Sequence, residues 1–176
     1  MPAHPVRHIA VMGVSGCGKS TVSQLLSIEV GAAFSDADDH HPAANIDKMT
    51  RGMALDDADR VPWLHTLGEW VADHDRLGSC TVLACSALRH SYRDQLRSAV
   101  PTLVFVHLCG SRETISARLA GRAGHFMPSR LLDSQLSSLE PLGADEAGVT
   151  IDLDHPPTEL VRRIVDALSL PRKVST

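Results

Sequence analysis

The sequence has no paired cysteine motif and no long apolar run. Its four cysteines show no CxxC spacing, which excludes the usual zinc-ribbon and thioredoxin-like patterns and indicates free thiols in a reducing cytoplasm. No apolar stretch approaches the ~20 residues of a membrane-spanning helix, so no membrane partner is expected. The apolar run near the N-terminus is too short for a signal peptide and ends at once in glycines.

An excess of positive charge is also lacking. The formal net charge is -4, which argues against broad nucleic-acid binding, and an anionic substrate would have to be met by local basic residues. Hydrophobic residues at 43% and charged residues at 22% are ordinary for a globular protein. The 176 residues suit a single domain over residues 1–176.

Short apolar runs alternate with helical patterns along the chain. The strongest strand candidates are "HIAVMG" (8–13), "CTVLAC" (80–85) and "LVFVHL" (103–108), with weaker ones at 32–34 and 148–153. Helical spacing predicts helices over 20–30, 62–77, 89–99, 112–119 and 158–168. Strand followed by helix, repeated, predicts a three-layer α/β fold with a parallel sheet.

The segment "AGRAGHFMPSR" (120–130) breaks this alternation. It contains two glycines, a proline and basic residues, and it predicts an exposed mobile loop.

The stretch "GVSGCGKS" matches the phosphate-loop pattern GxxxxGK[ST], directly after a strand and at the start of a helix. Backbone N–H groups of such a loop hold phosphate oxygens, the lysine reaches the β- and γ-phosphates, and the serine hydroxyl ligates Mg²⁺. The alternative is a glycine-rich turn of another α/β protein. Absence of an NKxD-type segment argues against a GTPase and favours a small-metabolite kinase. The predicted nucleotide-binding residues are Gly13, Val14, Ser15, Gly16, Cys17, Gly18, Lys19, Ser20 and Thr21.

The stretch "SDADDHH" follows the second predicted strand. Asp36 and Asp38 are two apart, so extended backbone points both carboxylates into one cleft beside the phosphate loop. One carboxylate, assigned to Asp36, would serve Mg²⁺, and the other would accept a proton from an attacking hydroxyl. The alternative is a transition-metal cage, but adjacent histidines point to opposite faces. His41 is interpreted as a loop anchor or a substrate contact, and His40 as exposed.

Several motifs together resemble the bacterial gluconate kinases. They are "MGVSGCGKST", "SDADDHHPAANIDKM", "DRVPWL", "CSALRHSYRD", "RLAGRAGHFMP" and "LLDSQLSSLEPLGADE", in unbroken order over most of the chain. The resemblance implies a five-stranded parallel sheet with flanking helices and a lid at about 120–130, as in shikimate kinase. It also implies transfer of phosphate from ATP, with Mg²⁺, to D-gluconate, giving 6-phosphogluconate, and a homodimer.

The resemblance and the predicted strand ends assign acceptor residues. Asp38 is implied to contact the acceptor hydroxyl, and Arg60 to line the cleft, with a salt bridge to Asp56 or Asp57 as its alternative. Lys48 is a fainter candidate that also fits an exposed helical lysine. The turn 86–89 faces the cleft, so Ser86 is a candidate and Arg89 suits the gluconate carboxylate.

Arg118 and Arg122 are four apart on a helix that leads into the lid, where arginines clamp ATP phosphates and stabilise the transferred charge. His125 at the lid tip is interpreted as a substrate contact, with an exposed loop histidine as the alternative. Two rival functions stay open: a kinase of another small acceptor such as shikimate, and a nucleotide-binding regulator that has lost catalysis.

Overall fold

The computed structural model of the chain describes residues 6–121 and 129–172. Five strands form one parallel sheet in the order β2-β3-β1-β4-β5, which confirms the predicted fold class. Each of the five predicted strands is present. Their bounds are β1 (His8–Met12), β2 (Ala33–Asp36), β3 (Thr81–Ala84), β4 (Val104–Cys109) and β5 (Gly148–Asp152).

Helices follow the strands and cover both faces of the sheet. They are α1 (Lys19–Val30), α2 (Ala43–Thr50), α3 (Asp57–Arg76), α4 (His90–Ala99), α5 (Arg112–Ala120), α6 (Ser129–Ser138) and α7 (Pro157–Ala167), with a 3₁₀ turn at Ala37–His40. Helices α2 and α6 were not predicted. Within residues 6–121 and 129–172, no helix combines the length and apolar character needed to cross a bilayer.

Two predicted segments, the third helix and the loop 120–130, have wrong boundaries. Helix α3 begins at Asp57 rather than at 62, because Asp56 caps it and exchanges hydrogen bonds with Asp59, a capping box that places Pro62 in the second turn. The predicted loop 120–130 is too long at both ends, since Ala120 closes α5 and residues 129–130 open α6. Residues 122–128, which include Arg122 and His125, lie outside the described residues.

The core has two parts, one on each face of the sheet. Alternate residues of the central strands point to opposite faces, so Val11, Val82 and Val106 pack towards α1 and α7, while Leu83 and Phe105 pack towards α3 and α4. Strands β1 and β3 are buried throughout. This packing holds the carboxyl ends of β1, β2 and β3 side by side, where the predicted functional segments begin.

A buried ion pair fixes the turn that follows β3. Arg93 on α4 is fully buried and contacts both carboxylate oxygens of Glu146 at 2.6 and 2.7 Å. Its guanidinium also donates to the carbonyls of Ala87 and Glu140 at 3.0 and 3.1 Å. Burial alone would raise the pKa of Glu146, but the hydrogen bonds from Arg93 and from the Gly143 N–H lower it to about 2. Arg93 therefore joins the segment before β5 to the turn at the sheet edge.

Replacing Glu146 with glutamine should lower the free energy of unfolding by about 3–5 kcal/mol, because it leaves the buried Arg93 charge without its counter-ion. Urea unfolding at pH 7 measures this loss. The matched control is Glu159→Gln on α7, whose carboxylate pairs with exposed arginines and should cost far less.

The same two variants test the pH dependence. The folded-state pKa of Glu146 is about 2, below its ordinary value of 4.5, so the stabilisation is complete above pH 4.5 and is lost as the pH falls through about 2. The Glu146→Gln protein should lack this part of the acid loss. Equal stability of the two variants at pH 7 would contradict the assigned role.

Candidate active site

The phosphate loop lies between β1 and α1, as the motif requires. Gly13, Gly16 and Gly18 have φ values of 142°, 84° and 93°, which side chains rarely adopt. At Gly16 a Cβ would lie 2.5 Å from Cγ of Leu119, so the close approach of α5 also excludes a side chain. Gly18 caps α1, and the helix N-terminus opens into the loop. The geometry therefore fits a site for phosphate.

Two side chains at the start of α1 connect the loop with its surroundings. Lys19 Nζ donates to the Val14 carbonyl at 3.1 Å. The Ser20 hydroxyl donates to Asp36 Oδ2 at 2.5 Å. The structure thus brings the phosphate loop and the predicted acidic pair together. A hydroxyl and a carboxylate side by side are hard oxygen donors, the kind that Mg²⁺ prefers, so the residues fit this ion.

The two histidines after β2 have separate uses. His40 Nε2 lies 2.6 Å from the Ser35 hydroxyl and its ring tilts towards Trp70, so the residue is half-buried and the prediction that it is exposed is wrong. His41 stacks on Trp63, with ring centroids 4.3 Å apart. In the part of the chain that the structure describes, no three His, Cys, Asp or Glu side chains converge to hold a metal ion.

Asp38 stands at the mouth of the cleft, with its side chain 89% exposed and Oδ1 3.9 Å from His41 Nε2. Partial desolvation by the surrounding protein and the charge of Asp36 raise the pKa of Asp38. Burial lowers the pKa of His41, and nearby Arg60 adds to that effect, which favours a neutral imidazole at neutral pH.

Asn45 orients His41. The Asn45 amide nitrogen donates to the Asp59 carbonyl at 3.0 Å, which fixes the direction of the amide group. The same nitrogen lies 3.4 Å from His41 Nδ1, so Nδ1 accepts and the ring proton sits on Nε2, facing Asp38. His41 is therefore a half-buried anchor that presents a donor to Asp38.

A second cluster lies where α3 meets α4. The guanidinium groups of Arg60 and Arg89 lie 5.5 and 5.8 Å from the centroid of the Tyr92 ring. Asp57 approaches the same three side chains. The Ser86 carbonyl accepts from the Gly13 N–H at 3.3 Å, so the turn after β3 also contacts the phosphate loop. Arg60, Ser86 and Arg89 are thus placed at the sheet edge that carries Asp38.

The two remaining described candidates, Lys48 and Arg118, make different contacts. Lys48 contacts both oxygens of Asp59 at 2.6 and 2.7 Å and so supports the start of α3. Arg118 donates to the Leu153 carbonyl, and its Nη1 would lie 3.7 Å from a Cβ at Gly18, which puts it beside the phosphate loop.

Gln135 is a contact of the phosphate loop that sequence reasoning missed. Its Oε1 accepts from the Ser15 N–H at 2.7 Å, and its Nε2 donates to the Ser15 hydroxyl at 3.3 Å. It lies on α6, a helix that was not predicted, and it is 120 residues from Ser15 in the chain. In the segment after α6, the Glu140 carboxylate accepts from the His90 N–H at 2.5 Å and so contacts the first residue of α4.

Comparison with known proteins agrees with this geometry. A family model described as "AAA domain" matches residues 9–142. A gluconokinase of Gluconobacter oxydans (strain 621H) is 42% identical over 159 residues, covering 90% of this chain and 89% of the relative. The chain belongs to the gluconokinase family.

Solved structures place the chain among gluconokinases as well. The crystal structure of a gluconokinase from Sinorhizobium meliloti 1021 superposes with a TM-score of 0.86 at 42% identity, covering 94% of each chain. A sugar kinase from Janibacter sp. HTCC2649 gives a TM-score of 0.89 at 45% identity, covering 98% of this chain and 99% of the other. A shikimate kinase from Bacteroides thetaiotaomicron, at 16% identity and a TM-score of 0.67, shows the shared fold alone.

In this gluconokinase, replacing Gln135 with alanine should raise the KM for ATP about two- to tenfold, because the phosphate loop loses hydrogen bonds worth about 0.5–1.5 kcal/mol each. Initial rates at varied ATP measure the effect. The control is Ser137→Ala on the same helix, whose hydroxyl bonds only within α6. A lower KM in Gln135→Ala would instead mean that the amide competes with the nucleotide for Ser15.

Proposed function

We propose that this gluconokinase transfers the γ-phosphoryl group of ATP to the 6-hydroxyl of D-gluconate. The observation that carries the proposal is the position of Asp38: its exposed carboxylate follows β2 at the end of the sheet where the phosphate loop follows β1 and the turn 86–89 follows β3. Nucleotide, base and cationic cluster are the three parts that phosphorylation of an acidic sugar derivative needs.

The nucleotide half rests on the phosphate loop. Backbone N–H groups of Gly16 and Gly18 and the N-terminus of α1 bind the phosphates, and Lys19 exchanges the Val14 carbonyl for the β- and γ-phosphate oxygens. Ser20 and Asp36 would hold Mg²⁺, which neutralises phosphate charge when bound. Arg118 is proposed to contact the nucleotide from α5. The clamp role of Arg122 is proposed from the sequence alone.

The acceptor half lies across α3 and α4. D-gluconate carries its carboxylate and its 6-hydroxyl at opposite ends of a six-carbon chain. We assign the carboxylate to Arg60 and Arg89 and the hydroxyl to Asp38, which takes the proton as the phosphorus–oxygen bond forms. His41 lies 3.9 Å from the Asp38 carboxylate with Nε2 facing it, close enough to donate after a small movement when the acceptor binds. The Ser86 turn closes the cleft beside Gly13.

The remaining assignments are less central. His125 is proposed as an acceptor contact from the sequence alone, and Lys48 is a weaker acceptor contact because Asp59 holds it. A homodimer is proposed on the family resemblance. Free thiols at the four cysteines support a reducing, cytoplasmic location.

ATP turnover should require both D-gluconate and Mg²⁺, because the base and the arginine pair act only on a bound carboxylated acceptor. A coupled ADP assay over a panel of sugar acids and shikimate, followed by product analysis, measures this and should place phosphate on the 6-hydroxyl. Equal ADP production without an acceptor would contradict the assignment. Preferential turnover of shikimate would move the chain to another acceptor.

Replacing Asp38 with asparagine should lower kcat about 10²- to 10⁴-fold, the usual contribution of a general base, while ATP binding persists. The control is Asp39→Asn, which removes an equal charge from the neighbouring exposed residue. Steady-state kinetics with both substrates measures the contrast. A near-normal kcat in Asp38→Asn would remove Asp38 from the role of base.

The pH profile provides a second readout for Asp38. The base must be deprotonated, and its pKa is raised above the ordinary 3.8, so activity should fall with acid at a pH above 3.8. An acid limb at or below 3.8 would disagree with the site as described.

A further inference from the structure

The arginine pair already faces a carboxylate of its own chain. Asp57, the first residue of α3, accepts from the Tyr92 hydroxyl at 2.5 Å. Arg89 Nη1 lies 3.4 and 3.3 Å from its two oxygens, and Arg60 Nη1 lies 4.0 Å away. Two guanidinium groups and one phenol therefore surround a single carboxylate, which is the arrangement that a carboxylate receptor presents.

We propose that Asp57 occupies the position of the acceptor carboxylate and gives it up when the acceptor binds. Asp57 is then a specificity-determining residue of the acceptor site. The proposal rests on the proposed function, because it takes Arg60 and Arg89 as the partners of the D-gluconate carboxylate.

The contacts of Asp57 with the two arginines are loose enough to exchange. Strong charged hydrogen bonds between arginine and carboxylate measure about 2.7–2.9 Å, whereas those of Asp57 measure 3.3–4.0 Å. The side chains of Asp57 and Arg89 are 65% and 41% exposed, so water screens their attraction. By contrast, the pair that Arg93 of α4 forms with Glu146 measures 2.6 Å, and both of its side chains are buried.

The displaced carboxylate keeps a favourable position. Asp57 is the first residue of α3, and the partial positive charge of a helix N-terminus stabilises an acidic side chain there even without a cation. Release of Arg89 therefore does not leave an unfavourable charge, and the helix capping by Asp56 is unaffected.

Tyr92 holds the receptor in shape during the exchange. Burial and the hydrogen bond to Asp57 raise the pKa of the Tyr92 phenol, so the hydroxyl stays protonated and remains a donor for whichever carboxylate is present. Its ring keeps both guanidinium groups at 5.5–5.8 Å. Tyr92 is thus a positioning residue for both arginines.

This arrangement selects against acceptors without a carboxylate. A neutral polyol cannot replace the charge that Asp57 provides, and an anion that binds without displacing Asp57 meets its negative charge. The enzyme thereby loses some affinity for D-gluconate and gains discrimination.

The test compares wild type with Asp57→Asn and with Asp57→Ser, which retains a residue suited to a helix start. The matched control is Asp73→Asn, near the other end of α3, where an equal charge pairs with Arg76. Two measurements are made on each: the KM for D-gluconate at saturating ATP, and the dissociation constants of D-gluconate and of the neutral polyol D-glucitol by calorimetry.

Both Asp57 variants should bind D-gluconate about two- to fivefold more tightly than wild type, the factor expected when an exposed ion pair is released, and KM should fall more than kcat changes. D-glucitol binding and the Asp73→Asn control should not change. A weaker or unchanged affinity for D-gluconate in both Asp57 variants overturns the proposal. If wild type binds D-gluconate but does not phosphorylate it, the proposed function fails and the calorimetric comparison still decides the role of Asp57.

Discussion

The buried ion pair between Arg93 and Glu146 fixes the turn after β3, on which the proposed acceptor side of the site depends. The Arg93 guanidinium is fully buried and donates to the carbonyls of Ala87 and Leu88, which fixes the backbone conformation of the turn after β3. Ala87 itself adopts a φ of 41°, a conformation that needs such support in a residue other than glycine. Arg89 and Tyr92, which form the cluster with Arg60 and Asp57, follow directly after this turn.

Helix α6 and the segment after it connect the phosphate loop with the turn that Arg93 supports. Gln135 contacts the phosphate loop, and the Glu140 N–H donates to the Leu88 carbonyl at 2.8 Å. The stretch between them is one short helix and its exit. Arg93 holds the Glu140 carbonyl as well, so this stretch is anchored at both of its ends.

Local signals predicted much of the fold and the nucleotide half of the site. Continuous apolar runs predicted β1, β3 and β4, because a strand buried on both faces of a parallel sheet leaves no polar alternation, whereas β2 and β5 are less buried and gave weaker signals. The contact between Ser20 and Asp36 followed from two motifs that each end a strand at the same edge. Helix α6 was not predicted, although Leu132 and Leu136 are four residues apart, as on one face of a helix, and both pack in the core.

The acceptor half depended on long-range packing that no local pattern encodes. The pairing of Asp57 with Arg89 and Tyr92 arises where α3 meets α4, between residues more than thirty positions apart in the chain. Asp56 or Asp57 was foreseen as a partner of Arg60, but Asp57 lies nearer to Arg89. The start of α3 was predicted too late, because a proline is typical of the first turn of a helix. In the structure Asp56 caps the helix, so the first turn begins at Asp57 and Pro62 lies in the second turn.

The stacking of His41 on Trp63 has a spectroscopic consequence. The chain has two tryptophans, and both lie on α3: Trp63 is stacked on His41 and Trp70 lies 4.5 Å from the His74 ring. Indole emission is quenched by contact with imidazolium more than with neutral imidazole, and it responds to any tilt of the stack. The Trp63 part of the intrinsic fluorescence therefore responds to the charge and orientation of His41 without an added label, while Trp70 gives a separate contribution beside His74.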